Sequence, residues 1–190
     1  MTHRTFIAVD LDDAVRAELA DVRERIEPFF TPDAPARWVD PDNLHVTVKF
    51  LGDVDSRELR DVCQAAQRVA GSLEPFQVEL VGATDLPQRM RDRMLLAEVL
   101  EPSGRLAALA EACDGAMASL GFPREHRAFH PHVTLARPRA RRGRMPRQAA
   151  QALAGLAFGG TTVDCLTVYT SELTADGPVY TPAATCPFRE

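Results

Sequence analysis

The sequence predicts an α+β chain of two equivalent lobes related by a pseudo-twofold, and three observations carry that prediction. The pattern His-x-Thr occurs twice, as His45-Val46-Thr47 in NLHVTVKFLGDV and as His132-Val133-Thr134 in FHPHVTLARP. Each copy lies in a short run of strand-like composition. The elements around each copy then return in the same order after an offset of just under half the chain, a period too long for a solenoid. A single His-x-Thr is weak evidence. The repeated surroundings give the pair its weight.

The elements follow in order. FIAVDL (residues 6–11) reads as a strand, and Val15, Leu19, Val22 and Ile26 then recur at helical spacing. The first His-x-Thr strand comes next, followed by a shorter helix near residues 56–70 and a strand in FQVELVGATDL. The second half repeats this series. MLLAEVL (residues 94–100) is its opening strand, and Leu106, Leu109, Cys113, Met117 and Leu120 mark the helix. The second His-x-Thr strand, a helix near 146–155 and a strand in TTVDCLTVYTSEL complete it. The repeats span approximately 5–86 and 93–173, with a closing strand at 178–188, and 1–190 reads as one bilobal domain.

Composition narrows the class. A chain of 190 residues with 45% hydrophobic and 26% charged residues is ordinary for a globular protein with a good core. No apolar run reaches membrane-span length, and the N-terminus lacks a signal-peptide pattern. Cys63, Cys113, Cys165 and Cys186 show no Cys-x-x-Cys spacing, which points to reduced thiols and a cytoplasmic location. The net charge of −5 argues against coating nucleic acid by bulk electrostatics. Basic charge is nevertheless concentrated in Arg137, Arg139, Arg141, Arg142, Arg144 and Arg147, with a smaller cluster at Arg89, Arg91 and Arg93. The larger cluster reads either as a solvated loop or as a guide for a phosphate backbone.

Strand alternation places the His and Thr of each motif on one face and the valine on the other. Two such pairs facing across a cleft supply an acid, a base and two hydroxyl donors, a set suited to phosphodiester chemistry. Because histidine titrates near neutral pH, one neutral and one protonated imidazole can work on opposite sides of phosphorus without a metal. Thr47 and Thr134 would then bond the non-bridging oxygens.

Neighbouring residues need separate readings. Lys49, the sole lysine, continues the face of His45 and Thr47 by alternation; it reads as an exposed strand-end residue, with phosphate contact as the functional alternative. Phe50 falls on the opposite face and reads as core, as does Trp38, with stacking of a substrate base as the functional alternative for both. His130 and His132 have the spacing of two metal ligands on a strand, with Glu125 or His126 as a third. The first half has no matching cluster, so no metal is expected and His130 reads as a supporting cleft residue or as simply exposed.

WVDPDNLHVTVKFLGDV and RAFHPHVTLAR together resemble the two signatures of the two-histidine (2H) phosphoesterases, and most closely the RNA 2′,3′-cyclic phosphodiesterases of bacteria and archaea, also called 2′-5′ RNA ligases. The similarity runs nearly end to end, from RTFIAVDL to a closing hairpin in VYTSELTADGPVYTP with its Tyr-x-Ser and Gly-x-x-Tyr. One departure stands out: Arg93-Met94-Leu95-Leu96 replaces an Arg-Val-x-Trp strand, which removes support for a substrate contact from the missing tryptophan.

The resemblance implies two antiparallel sheets backed by helices with a central cleft. It implies His45 as general acid toward the 3′-oxygen, His132 as general base for water, and a 2′-phosphate product, with 2′-5′ ligation as the reverse reaction. Arg137 matches a family position near the phosphate, although strict alternation turns it away from the His132 face. No cofactor is implied. The implied partners are RNA ends bearing 2′,3′-cyclic phosphate, tRNA fragments among them, with no membrane and no obligate protein partner. The rival readings are a 2H hydrolase of another cyclic phosphate or of 2′-5′ oligonucleotides, a metal-dependent hydrolase, and an RNA-end binding module without turnover.

Overall fold

A computed structural model describes the chain apart from residues 33–34, 84–86, 92, 141–142, 176 and 190, and apart from the side chains of Gln88 and Arg91. Arg141, Arg142 and the Arg91 side chain, parts of the two arginine clusters, therefore lie outside the described residues. The first half contains β1 (Thr2–Asp10), α1 (Asp13–Ile26), β2 (Ala36–Trp38), β3 (His45–Asp55), α2 (Ser56–Ala70) and β4 (Phe76–Gly82). A short α3 (Gln88–Arg91) leads to β5 (Leu95–Leu100), α4 (Arg105–Ala118) and β6 (His132–Pro138). The chain closes with α5 (Arg147–Leu153), β7 (Ala157–Val163), β8 (Cys165–Leu173) and β9 (Pro178–Pro187).

The helices form where their periodicity places them. Val15, Leu19, Val22 and Ile26 are the buried stripe of α1, and Leu106, Leu109, Cys113 and Met117 lie in that of α4. A capping box fixes the start of α2: Asp55 accepts from the Arg57 N–H, and Glu58 reaches back to the Asp55 N–H. The run 161–173 is two strands and not one. It breaks at Asp164 because β7 pairs with β4 whereas β8 pairs with β1, on opposite sides of the molecule.

Among the described residues the strands form one antiparallel sheet in the order β7-β4-β5-β6-β3-β1-β8-β9, with β2 added beside β6. The two expected sheets are thus continuous, but only through the pair Val46↔Val133 between β3 and β6. That narrow waist separates a lobe of β3, β1, β8 and β9 from a lobe of β6, β5, β4 and β7.

Each lobe draws on both halves of the sequence. β4, from the first half, pairs with β5, and β8, from the second, pairs with β1. The helices cross in the same way. α1 leaves β1 but packs on β7, where Thr161 Oγ1 accepts from the Asp12 N–H at 2.8 Å and Asp12 Oδ2 accepts from the Thr162 N–H at 3.2 Å. α4 leaves β5 but packs on β3 and α2. α2 covers β8 and β9, while α5 covers β5. Gly82, ending β4, shows how closely these layers meet, since a Cβ there would overlap the Leu153 carbonyl at the end of α5. One hydrophobic cluster, from Ile7 to Phe188, runs through both lobes.

Candidate active site

The waist sets the site. Antiparallel pairing at Val46↔Val133 turns His45 toward Thr134 and Thr47 toward His132, so the two motifs meet side by side where β3 and β6 begin to diverge. The valines are buried and the four polar side chains are half-buried along a cleft of about 1230 Å³.

Each imidazole is held from behind. His45 Nδ1 donates to the Asn43 carbonyl at 2.8 Å, and His132 Nδ1 donates to the His130 carbonyl at 2.7 Å. Both Nε2 atoms therefore carry the titrating lone pair. Beyond this the two sites differ. His45 Nε2 is 2.9 Å from Thr47 Oγ1, whereas Thr134 Oγ1 accepts from Arg137 Nη2 at 3.5 Å. Burial lowers the pKa of His45, opposed by the Asn43 carbonyl and the Asp10 carboxylate, with His132 and Arg137 adding to the depression. Burial also lowers that of His132, opposed by the His130 carbonyl, but there the charged neighbours Arg137 and His130 both depress it further.

Two β-bulges determine which residues join the motifs. In the β1–β3 ladder Ala8 faces Thr47 while Ile7 faces Lys49, which leaves Val48 as an extra residue on β3. Side-chain parity inverts there, and the alternation-based readings of Lys49 and Phe50 exchange. Lys49 turns to the helix side, where it is 8% exposed, pairs with Asp114 of α4 at 2.6 Å and donates to the Pro123 carbonyl. Phe50 turns into the cleft and is 64% exposed. In the β5–β6 ladder Leu96 faces Thr134 while Leu95 faces Ala136, and Leu135 is the extra residue. This second bulge supplies the bend that Arg137 needs. Its guanidinium reaches the cleft beside Thr134 and contacts Met94 Sδ at 2.9 Å.

His130 lines the cleft and orients His132 through its carbonyl. Glu125 is held by the Arg127 guanidinium through both carboxylate oxygens. Among the described residues, no group of three His, Cys, Asp or Glu side chains is placed to hold a metal. Trp38 packs edge-on to Phe30 at 5.8 Å beneath the Arg23 guanidinium, at the rim of the cleft. Leu96, the β5 residue set against an expected tryptophan by the resemblance, is buried beneath Met90 and Met94.

Sequence reasoning missed the residues behind His45. Phe6 stacks on its ring at 4.9 Å, and Tyr180 meets it edge-on at 5.5 Å. Asp10, directly across the ladder from His45, accepts from Thr167 at 2.7 Å and from Tyr169 at 2.8 Å. Burial, then the bond to Asp10, pushes the Tyr169 phenol up. Phe6 and Asp10 were available as alternate positions of FIAVDL, but alternation alone does not say which face meets the cleft.

Two His-x-Thr strands joined at the waist of a bilobal antiparallel sheet are the arrangement of a two-histidine phosphoesterase. The chain belongs to the 2′-5′ RNA ligase superfamily, whose family model matches residues 11–174. It is 31% identical to an RNA 2′,3′-cyclic phosphodiesterase of Methanothermobacter thermautotrophicus over 95% of this chain and 96% of that one. A Thermus thermophilus protein of the same name is 33% identical, with 94% and 86% covered. Among solved structures, E. coli LigT complexed with 3′-AMP is similar at a TM-score of 0.78, with 27% identity and all of both chains covered. No helix among the described residues is long and apolar enough to cross a membrane.

Proposed function

We propose that this protein is an RNA 2′,3′-cyclic phosphodiesterase that opens terminal cyclic phosphates to 2′-phosphate ends by two-histidine acid–base catalysis. The observation that carries the reading is the juxtaposition of His45 and His132, each with Nδ1 anchored to a carbonyl and Nε2 directed to the cleft. His132 takes a proton from water as the water oxygen bonds to phosphorus. The bond from phosphorus to the 3′-oxygen breaks, and His45 delivers a proton to that oxygen. Thr47, Thr134 and Arg137 hold the non-bridging oxygens, where negative charge builds.

The asymmetry between the histidines supports these roles. Asp10 favours an imidazolium at His45 and opposes His132 and Arg137 there, whereas both charged neighbours of His132 favour the neutral ring. Thr47 adds a geometric reason. With His45 neutral, the Thr47 hydroxyl proton points back to Nε2; with His45 protonated, Nε2–H donates and frees that hydroxyl for a phosphate oxygen. Phe50, exposed on the cleft wall near Phe6, offers a face on which the terminal base stacks. Four unpaired cysteines accord with a cytoplasmic setting.

The test incubates a short RNA ending in a 2′,3′-cyclic phosphate with the protein in excess EDTA and identifies the product end. Conversion to 2′-phosphate is expected, reduced by at least about a hundredfold in both His45→Ala and His132→Ala. A 3′-phosphate product would reverse the orientation of the substrate. Binding without conversion would make the protein an RNA-end binding module, and activity restored only by added metal would overturn the acid–base reading.

A further inference from the structure

β2 is a strand of three residues, and it carries an unfavourable pair. Where β3 swings away from β6, β2 takes its place on the same edge, held by Val39 N–H to the Leu135 carbonyl at 2.9 Å and Arg139 N–H to the Pro35 carbonyl at 3.0 Å. Its register sets Arg37 directly opposite Arg137. Like charges directly opposite each other repel and weaken a sheet. Both arginines are exposed on the cleft, and among the described residues neither has a carboxylate partner. Arg89 also lines the cleft, again without an ion pair among those residues. Trp38, packed on Phe30, anchors the strand and fixes where Arg37 stands. A chain of net charge −5 thus keeps adjacent guanidinium groups facing one groove. An anion with two charged groups relieves that repulsion.

We propose that Arg37 binds a second phosphate of the substrate: the 5′-phosphate of the terminal nucleotide, one ribose away from the cyclic phosphate held by Arg137. The inference rests on the phosphodiesterase reading and adds to it the residue that recognises the phosphate on the 5′ side of the terminal ribose. In an RNA strand this 5′-phosphate is the link to the preceding nucleotide, so Arg37 marks where the rest of the strand leaves the cleft.

The experiment compares a nucleoside 2′,3′-cyclic phosphate bearing a free 5′-hydroxyl with the same compound bearing a 5′-phosphate. The wild-type ratio of kcat/KM between them is expected to be about tenfold in favour of the phosphorylated form, the gain of one charge-assisted contact. Arg37→Gln is expected to bring that ratio close to one, while its thermal midpoint stays at or above the wild-type value because a repulsion has been removed. A wild-type ratio near one, or a ratio retained in Arg37→Gln, overturns the second-phosphate site and leaves the phosphodiesterase reading standing. Hydrolysis of neither compound overturns both.

Discussion

At the scale of single residues, the site's electrostatics fix the direction of its pH dependence. Burial is the largest influence on both histidines and moves each below the ordinary value of 6.5. With His132 as base and His45 as acid, the acidic limb of kcat/KM reports His132 and the alkaline limb reports His45. The optimum of kcat/KM is therefore expected below about pH 6.5, since that ratio reads the free enzyme. Bound phosphate is an anion and favours the imidazolium forms, so the kcat profile is expected to lie at higher pH. Asp10 separates the two limbs. Asp10→Asn keeps a partner for Thr167 and Tyr169 but removes the charge that supports protonated His45. The alkaline limb is expected to move to lower pH, with the acidic limb unmoved. Profiles in which the acidic limb shifts instead would exchange the roles of the two histidines.

At the scale of elements, strand alternation made the histidines and threonines legible and then failed two residues later. Alternation assumes a regular ladder, and each ladder has an extra residue just past its motif, Val48 on β3 and Leu135 on β6. A bulge is a property of the pairing between two strands, so neither sequence segment reveals it alone. The bulges occupy equivalent places in the two motifs, and they bring Phe50 and Arg137 to equivalent places on the two cleft walls. Lys49 is the other product of the first bulge. Its ammonium, Asp114, the Glu125 N–H and Arg124 tie β3 and α4 to the segment entering the His132 strand. Lys49→Met leaves Asp114 buried without its closest partner, at a cost of about 3 kcal/mol. The double variant Lys49→Met/Asp114→Leu, which removes both charges, is expected to recover most of that loss in urea unfolding. Equal stabilities for the single and double variants would show that the pair is not what holds these elements together.

At the scale of the whole molecule, the order of elements was legible in the sequence, but their exchange between lobes was not. Periodicity says which face of α1 is buried and is silent on whether β1 or β7 covers it. In the fold, α1 and β4 serve the lobe built on β5 and β6, while α4 and β8 serve the lobe built on β1 and β3. Neither half therefore contains all of its own packing partners. Divided after Arg91, the first fragment would hold β1 without β8 and α1 without β7, and the second would hold β5 without β4 and α4 without β3. Each fragment alone is expected to lack a cooperative thermal transition. The intact chain is expected to unfold in one step, with calorimetric and van't Hoff enthalpies equal. Because His45 and His132 fall on different fragments, catalysis offers a second readout: activity should be absent from each and return when the two are co-refolded. A fragment that melts cooperatively by itself would mean that the repeats are independent folding units, and that their exchange adds only the shared active site.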